Sequence, residues 1–217
     1  MANWEFKELN LENIKLKVYS GVYYPAEDTY LLLSTLSREK GNYRKAMDIG
    51  CGCGIITLQL LINGIASYVV ACDINIKALY NTKENLLENN VYDYVDLLQC
   101  DITKPPFRHG RYLDLIVSNP PYLPLGEEIA ENTLSIEDLS WYGGVNGRSV
   151  IDAIIDFSSK TLTRGGVLFL VQSSISDISK TINAMSRVNL KGKVVAKLHI
   201  FFEDIVVIKA TSNVTGD

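Results

Sequence analysis

Short β-branched and apolar runs alternate along the chain with stretches whose apolar residues recur at helical spacing. The runs predict strands over Lys45–Ile49, Tyr68–Cys72, Tyr94–Gln99, Leu113–Ser118, Val167–Gln172, Val194–Ile200 and Ile205–Lys209. The helical patterns fall at Ile55–Ile62, Ile76–Asn89, Ser149–Leu162 and Ile175–Arg187. Strand and helix in alternation are the signature of an α/β fold with a largely parallel sheet. The last two strands are separated only by a few residues around Phe202, Glu203 and Asp204, too few for a parallel crossover, so they form an antiparallel hairpin. The expectation is a seven-stranded, mostly parallel sheet with its final strand reversed and helices on both faces. In the helix over Ile76–Asn89, Ile76, Leu79, Leu86 and Leu87 recur at helical spacing and are expected to face the sheet, with Asn75 as N-cap. A further helix start is read at Pro25-Ala26-Glu27-Asp28-Thr29, where a proline and first-turn acids precede an apolar run. Its free N–H groups and the Thr29 hydroxyl are a natural seat for a carboxylate, although a well-capped helix accounts for the pattern equally.

One charge-free stretch, Ile49 to Cys72, is long enough to be tested as a membrane span. Gly50-Cys51-Gly52-Cys53-Gly54 opens it and Asn63-Gly64 breaks it, so it reads as loop, helix, turn and buried strand. With 217 residues, 47% of them hydrophobic, the chain is most simply one domain with one sizeable core. The N-terminal residues lack the positive-then-apolar order of a signal peptide, which points to the cytoplasm. A net charge of −4 provides no broad basic face for phosphodiester backbones, which lowers nucleic acid as a partner.

Chemistry concentrates at the predicted strand ends. Asp48-Ile49-Gly50-Cys51-Gly52-Cys53-Gly54 closes a strand and opens a helix, so its glycines allow a tight turn and close approach of a ligand. A dinucleotide loop would place its third glycine at position 55, which is Ile55. An acid at Asp48 is able to accept from a cationic ammonium, Asp73 from both hydroxyls of a ribose, and Asp101 from an adenine amino group with Ile102 against the ring. Acids after three successive strands line one crevice at the carboxyl edge of the sheet, where open α/β sheets bind ligands. Asn119-Pro120-Pro121-Tyr122 follows the strand Leu113–Ser118. The prolines fix their own φ and hold the residue before each extended, which presents the Asn119 side chain at a defined angle. Its amide oxygen and the adjacent main-chain carbonyl together are able to accept both N–H bonds of an –NH2 group. A plain strand-ending turn is the alternative.

In this order, Pro25-Ala26-Glu27-Asp28-Thr29, the glycine loop, Asp73, Asp101 and Asn119-Pro120-Pro121-Tyr122 resemble the S-adenosylmethionine-dependent methyltransferases of the HemK/PrmC type, as do Trp141-Tyr142-Gly143-Gly144 and Asn146-Gly147-Arg148. The resemblance spans nearly the whole chain and is closest to the short archaeal and eukaryotic branch, which lacks the N-terminal helical domain of the bacterial enzymes. It implies a Rossmann-like class I methyltransferase core over residues 44–210 and an N-terminal segment 1–43 covering the cofactor; the tail over 211–217 is polar and is expected to fray. The resemblance also implies methylation of the glutamine in the Gly-Gly-Gln motif of a peptide-chain release factor, and a heterodimer with a small zinc-binding activator subunit. By the same resemblance Thr29, Asp48, Gly50, Gly52, Asp73, Asp101, Ile102 and Asn119 would hold S-adenosyl-L-methionine. Asn119, Pro120 and Tyr122 would be catalytic, with Asn119, Pro121 and Tyr122 against the substrate amide.

Asn-Pro-Pro-Tyr leaves a second substrate class open, the exocyclic amines of nucleic-acid bases. Between Leu125 and Ser140 stand Glu127, Glu128, Glu131, Glu137 and Asp138 with no Lys or Arg, a negative field that would repel phosphodiesters and steer in a basic protein loop, unless the segment is only a solvated acidic loop. Cys51, Cys53, Cys72 and Cys100 lack zinc-ribbon spacing, and a zinc there would fill the crevice, so they read as small buried thiols and no metal site is expected. Neither histidine, His109 or His199, lies in a motif, so no catalytic imidazole is expected.

Overall fold

The structure, a computed structural model, describes residues 4–11, 13–108, 110–126, 135–136 and 138–213. These form nine strands and five α-helices: β1 (Phe6–Leu11), β2 (Ile14–Tyr19), α1 (Glu27–Leu36), β3 (Ala46–Ile49), α2 (Ile55–Ile62), β4 (Val69–Asp73), α3 (Ile76–Glu88), β5 (Val95–Gln99), β6 (Leu113–Ser118), α4 (Ser149–Thr161), β7 (Leu162–Ser173), α5 (Ile178–Arg187), β8 (Leu190–Ile200) and β9 (Glu203–Ser212). Strands β3 to β9 make the expected seven-stranded sheet in the order β5-β4-β3-β6-β7-β9-β8. The pairs from β5 to β7 are parallel, while β9 runs antiparallel to both β7 and β8. The strand order reverses beside β3 and β6, and this places a crevice at their carboxyl ends.

Both faces of the sheet are apolar because successive side chains point to opposite sides. Leu115 and Val117 of β6 face a core shared with α1, α2 and α3, and Ile116 between them faces a second core with α4 and α5. The same alternation runs through Val167, Leu168, Phe169, Leu170 and Val171 of β7. Asn75 caps α3 as expected, its side-chain oxygen accepting from the Lys77 amide at 2.9 Å.

Several expectations need correction. Before α1 the chain forms an antiparallel hairpin, β1–β2, where no element is predicted. Of the four apolar residues expected to face the sheet from α3, Leu79 and Leu86 are buried but Ile76 and Leu87 are exposed. At 100° per residue the buried face centres on Ala78, Thr82 and Asn85 and puts positions 76 and 87 on the opposite flank. Strands β7, β8 and β9 each run several residues beyond the predicted runs, and β9 continues through Thr211 and Ser212, with Ser212 paired to Leu190. The helix predicted from Ile175 begins at Ile178, after a 3₁₀ turn over Ser174–Ser176, with the Asp177 side chain as its cap. Glu127, Glu128, Glu131, Glu137, His109 and the last four residues lie outside the described residues.

Candidate active site

The carboxyl ends of β3 to β6 open on a cavity of about 620 Å³, closed on one side by residues 22–29 and on another by Ile200, Glu203 and Ile205 of the β8–β9 hairpin. Its floor is the glycine loop. The Gly50 and Cys51 amides both donate to the Cys72 carbonyl at 2.8 and 3.0 Å, and the Gly52 amide donates to Asp73 Oδ2 at 2.9 Å, so the loop is pinned to the end of β4. Gly52 has φ +57° and a side chain added there would meet nothing within 4 Å, which leaves an open cradle against the backbone.

Asp73 lines the cavity, and its Oδ1 accepts from the Asn75 amide at 2.8 Å. Burial raises its pKa, opposed by the backbone N–H groups of Asn75, Gly52 and Ile74. Asp101 and Ile102 also line the wall; Thr103 donates twice to Asp101 Oδ1, and no described residue donates to Oδ2. Asp48 departs from expectation. It is fully buried beneath the loop, is not part of the cavity wall, and its Oδ2 accepts from the Thr57 amide at 3.1 Å and hydroxyl at 2.6 Å. Its Oδ1 has no donor among the described residues, and burial pushes its carboxyl up to about 7. An acid so placed fastens the glycine loop to the first turn of α2 and leaves one acceptor open just below the loop.

Asn119 shows the sharpest geometry. Its Nδ2 donates to Asp28 Oδ2 at 3.0 Å and to the Thr29 hydroxyl at 3.2 Å, and its Oδ1 is buried with no partner among the described residues. Tyr23 and Tyr122 donate their hydroxyls to the same Asp28 carboxylate at 2.8 and 3.1 Å, and the Thr29 amide donates to it at 2.6 Å. Burial, and then the neighbouring Asp28 charge, push both phenol pKa values well above the ordinary tyrosine range, so both rings keep their protons. Pro120, Pro121 and Tyr122 continue the wall beside Asn119. The sequence reading passes over Asp28, Tyr23 and Glu203. An acid in a first helical turn reads as a dipole complement, and only the fold shows that two distant donors, Asn119 and Tyr122, converge on it beside Tyr23.

The segment after the corner braces it from behind. Leu123 accepts from the Gly143 amide at 3.0 Å and donates to the Trp141 carbonyl at 3.1 Å, and Leu125 donates to Gly144. A side chain on Gly147 would collide with the Tyr122 carbonyl, and one on Gly143 with the Pro121 carbonyl. Arg148 is buried and donates to the Ser176 and Asp177 carbonyls, the Thr181 hydroxyl and Asp152, which locks this segment onto α5. The four cysteines are free, buried and line the cavity. The neighbouring Cys72 thiol lowers the Cys100 pKa, while its own rises.

A family model described as the methyltransferase small domain matches residues 14–135. The chain belongs to the methyltransferase small-domain family. Within this family it is 35% identical to a Methanocaldococcus jannaschii protein provisionally named as a protein N5-glutamine methyltransferase, over 93% of this chain and 98% of that one. It is 34% identical to a release factor glutamine methyltransferase of Clostridium botulinum, over 77% of this chain but only 59% of that longer protein. Among solved structures it is similar to the E. cuniculi Mtq2–Trm112 complex, described as methylating the translation termination factor eRF1. That match has a TM-score of 0.67 and 25% identity, and it covers 89% of this chain and 100% of that one. These relatives bear out the resemblance to the HemK/PrmC-type methyltransferases, and the seven-stranded architecture is that of a class I methyltransferase core. No helix among the described residues is long and apolar enough to cross a membrane.

Proposed function

We propose that this chain methylates the side-chain amide nitrogen of the glutamine in the Gly-Gly-Gln motif of a peptide-chain release factor, using S-adenosyl-L-methionine, in the cytoplasm. The observation that carries this reading is the unpartnered, buried Asn119 Oδ1, fixed as an acceptor because the amide nitrogen is tied to Asp28 and Thr29. The names of the curated relatives support the same substrate.

The residues fit the cofactor. Gly50 and Gly52 leave backbone open to a ligand, Asp73 and Asp101 stand where hydroxyl and amino groups would be accepted, and Ile102 offers an apolar wall. Thr29 and the first turn of α1 would seat a carboxylate, and the open Asp48 Oδ1, which lies below the loop and off the cavity wall, would reach an ammonium only through a bridging water. When bound, the cofactor supplies an electrophilic methyl group on a sulfonium.

An amide is a weak nucleophile because its nitrogen lone pair is drawn into the carbonyl, so the residues of this chain act by orientation and electrostatics. Asn119 Oδ1 and the Pro120 carbonyl would accept the two N–H bonds of the substrate and leave the lone pair facing the crevice. Asp28 holds Asn119 in the accepting orientation and, through the Tyr122 hydroxyl, fixes the ring beside it. The substrate proton would pass to water. A small partner subunit is part of the proposal, supported by the Mtq2–Trm112 complex, and the family resemblance implies that it binds zinc.

Incubation with methyl-labelled cofactor and a Gly-Gly-Gln release-factor domain, RNA or DNA tests the reading, in the presence and absence of a co-expressed partner. Label on the release-factor glutamine is the expected result, and label on nucleic acid overturns it. The Asn119→Ala variant is expected to lose about 10²-fold in kcat with cofactor affinity nearly intact.

A further inference from the structure

The hairpin that closes one side of the cavity ends in two exposed aromatic rings that pack on no described residue. Ile200 pairs with Glu203 across a two-residue turn, Phe201-Phe202, in which Phe201 is 88% exposed and Phe202 is completely exposed. Phe201 has φ +50°, a left-handed conformation that two-residue turns normally give to glycine or asparagine. The turn therefore combines backbone strain with two solvated rings, and no packing among the described residues offsets either. The hairpin beneath is braced, since Lys197 and His199 both contact the Asp204 carboxylate at 2.6 and 2.9 Å. The residues on either side of the turn, Ile200 and Glu203, are themselves cavity wall, so the rings stand one residue from the site. Trp141, half-exposed, also belongs to the wall and stacks edge-on against Tyr23 at 4.9 Å.

We propose that the Phe201-Phe202 tip is a docking anchor for the protein substrate, which it grips beside the loop that carries the glutamine. This rests on the reading of the site as a protein-amide methyltransferase and adds how a folded substrate, rather than a free amide, is selected. Each phenylalanine ring buries about 150–250 Å² when covered. Together they fall well short of the roughly 800 Å² per partner of a stable dimer, which argues against a second copy of this chain. They suffice as a hot spot for a transient complex whose remaining contacts lie in the cavity. The occupant is a protein with an apolar depression next to its Gly-Gly-Gln loop.

The test is the double variant Phe201→Asn with Phe202→Ser, in which asparagine tolerates the left-handed turn. Steady-state kinetics are measured on a release-factor domain and on a short Gly-Gly-Gln peptide, with variant and unmodified enzyme each co-expressed with the partner subunit. The expected result is a KM for the protein substrate raised about 10-fold or more, an unchanged kcat, an unchanged KM for the peptide, and recovery in the Phe201→Tyr and Phe202→Tyr variants. An unchanged KM for the release-factor domain overturns the inference while leaving the functional reading standing. An equal loss on the peptide also overturns it, by showing that the turn acts on the cavity, as does a change in sedimentation showing that the rings join two copies. If the unmodified enzyme, co-expressed with its partner subunit, labels no release factor, the functional reading falls first and takes this inference with it.

Discussion

Asp28 carries more of the site's geometry than any residue of the Asn-Pro-Pro-Tyr corner, since it receives Tyr23, Tyr122, Asn119 and the Thr29 amide. In Asp28→Asn the side chain has one accepting oxygen and an –NH2 group, which faces donors that need an acceptor. Asn119 is then free to turn over and present its own –NH2 to the cavity. The expected outcome is a fall in kcat of about 10²-fold with cofactor affinity close to normal, read by steady-state kinetics and calorimetry. Asp48 makes a separate prediction about pH. Its folded carboxyl is pushed up to about 7 from 3.8 by burial. Between those values the folded protein binds more protons than the unfolded chain, so stability falls as pH rises through this window and levels off above it. Denaturant melts from pH 4 to 8 are expected to show this decline in the unmodified protein and to lose Asp48's share of it in Asp48→Asn. Equal slopes would contradict it. Asn119, Asp73 and Asp101 are legible in the sequence because each follows an apolar run that ends at the sheet edge. Asp28 and the burial of Asp48 are not, because both depend on what folds over them from far along the chain.

The N-terminal hairpin is held by a side-chain ladder that no hydrophobic pattern records. Asn81, Asn85 and Asn89 recur every four residues and lie on one face of α3 and its C-cap. They bond to Tyr19, Lys17 and Lys15 of β2, alternate residues whose backbone faces the same way. Asn85 also donates to the Cys53 carbonyl at 2.8 Å, so the ladder reaches the glycine loop. Asn85→Leu leaves backbone groups of Lys17 and Cys53 unpaired and is expected to cost about 2–3 kcal/mol. Loss of amide-exchange protection at Lys17, ahead of global unfolding, is the check. The alternation of Ile14, Leu16 and Val18 with Lys15 and Lys17 is a strand signal that the sequence reading passes over. What makes that strand stable is polar, which is also why α3 turns a face centred on Thr82 and Asn85 inward and leaves Ile76 and Leu87 outside. Strand β8 is understated in sequence for a related reason: it is the edge of the sheet, and its lysines at 191, 193 and 197 break the apolar pattern while guarding that edge.

At the scale of the whole molecule, the sheet topology and the location of the crevice follow from the order of apolar runs and from acids at three consecutive strand ends. The closing walls do not, because residues 22–29 and the β8–β9 hairpin reach the cavity from opposite ends of the chain. A ligand in that cavity touches the glycine loop, the ends of β4 and β5, and the start of α1, and so ties together segments that otherwise meet mainly through the sheet. Binding only to the folded state stabilises it by mass action, by about 2.7 kcal/mol when the ligand stands at a hundred times its Kd. For a chain of this size each kcal/mol shifts Tm by roughly 2–4 °C. S-adenosylmethionine at that concentration is therefore expected to raise Tm by about 5–10 °C, and NAD at the same concentration is expected to leave it unchanged. Asp73→Ala removes a charged acceptor that also holds the Gly52 amide, so it should weaken cofactor binding by about 1.5–3 kcal/mol and abolish most of the shift. The same occupancy should slow alkylation of the cavity-lining cysteines, with Cys100, the more acidic of its pair, as the most sensitive reporter. A full thermal shift in Asp73→Ala would remove Asp73 from the binding site, and a shift produced equally by NAD would remove the cofactor assignment itself.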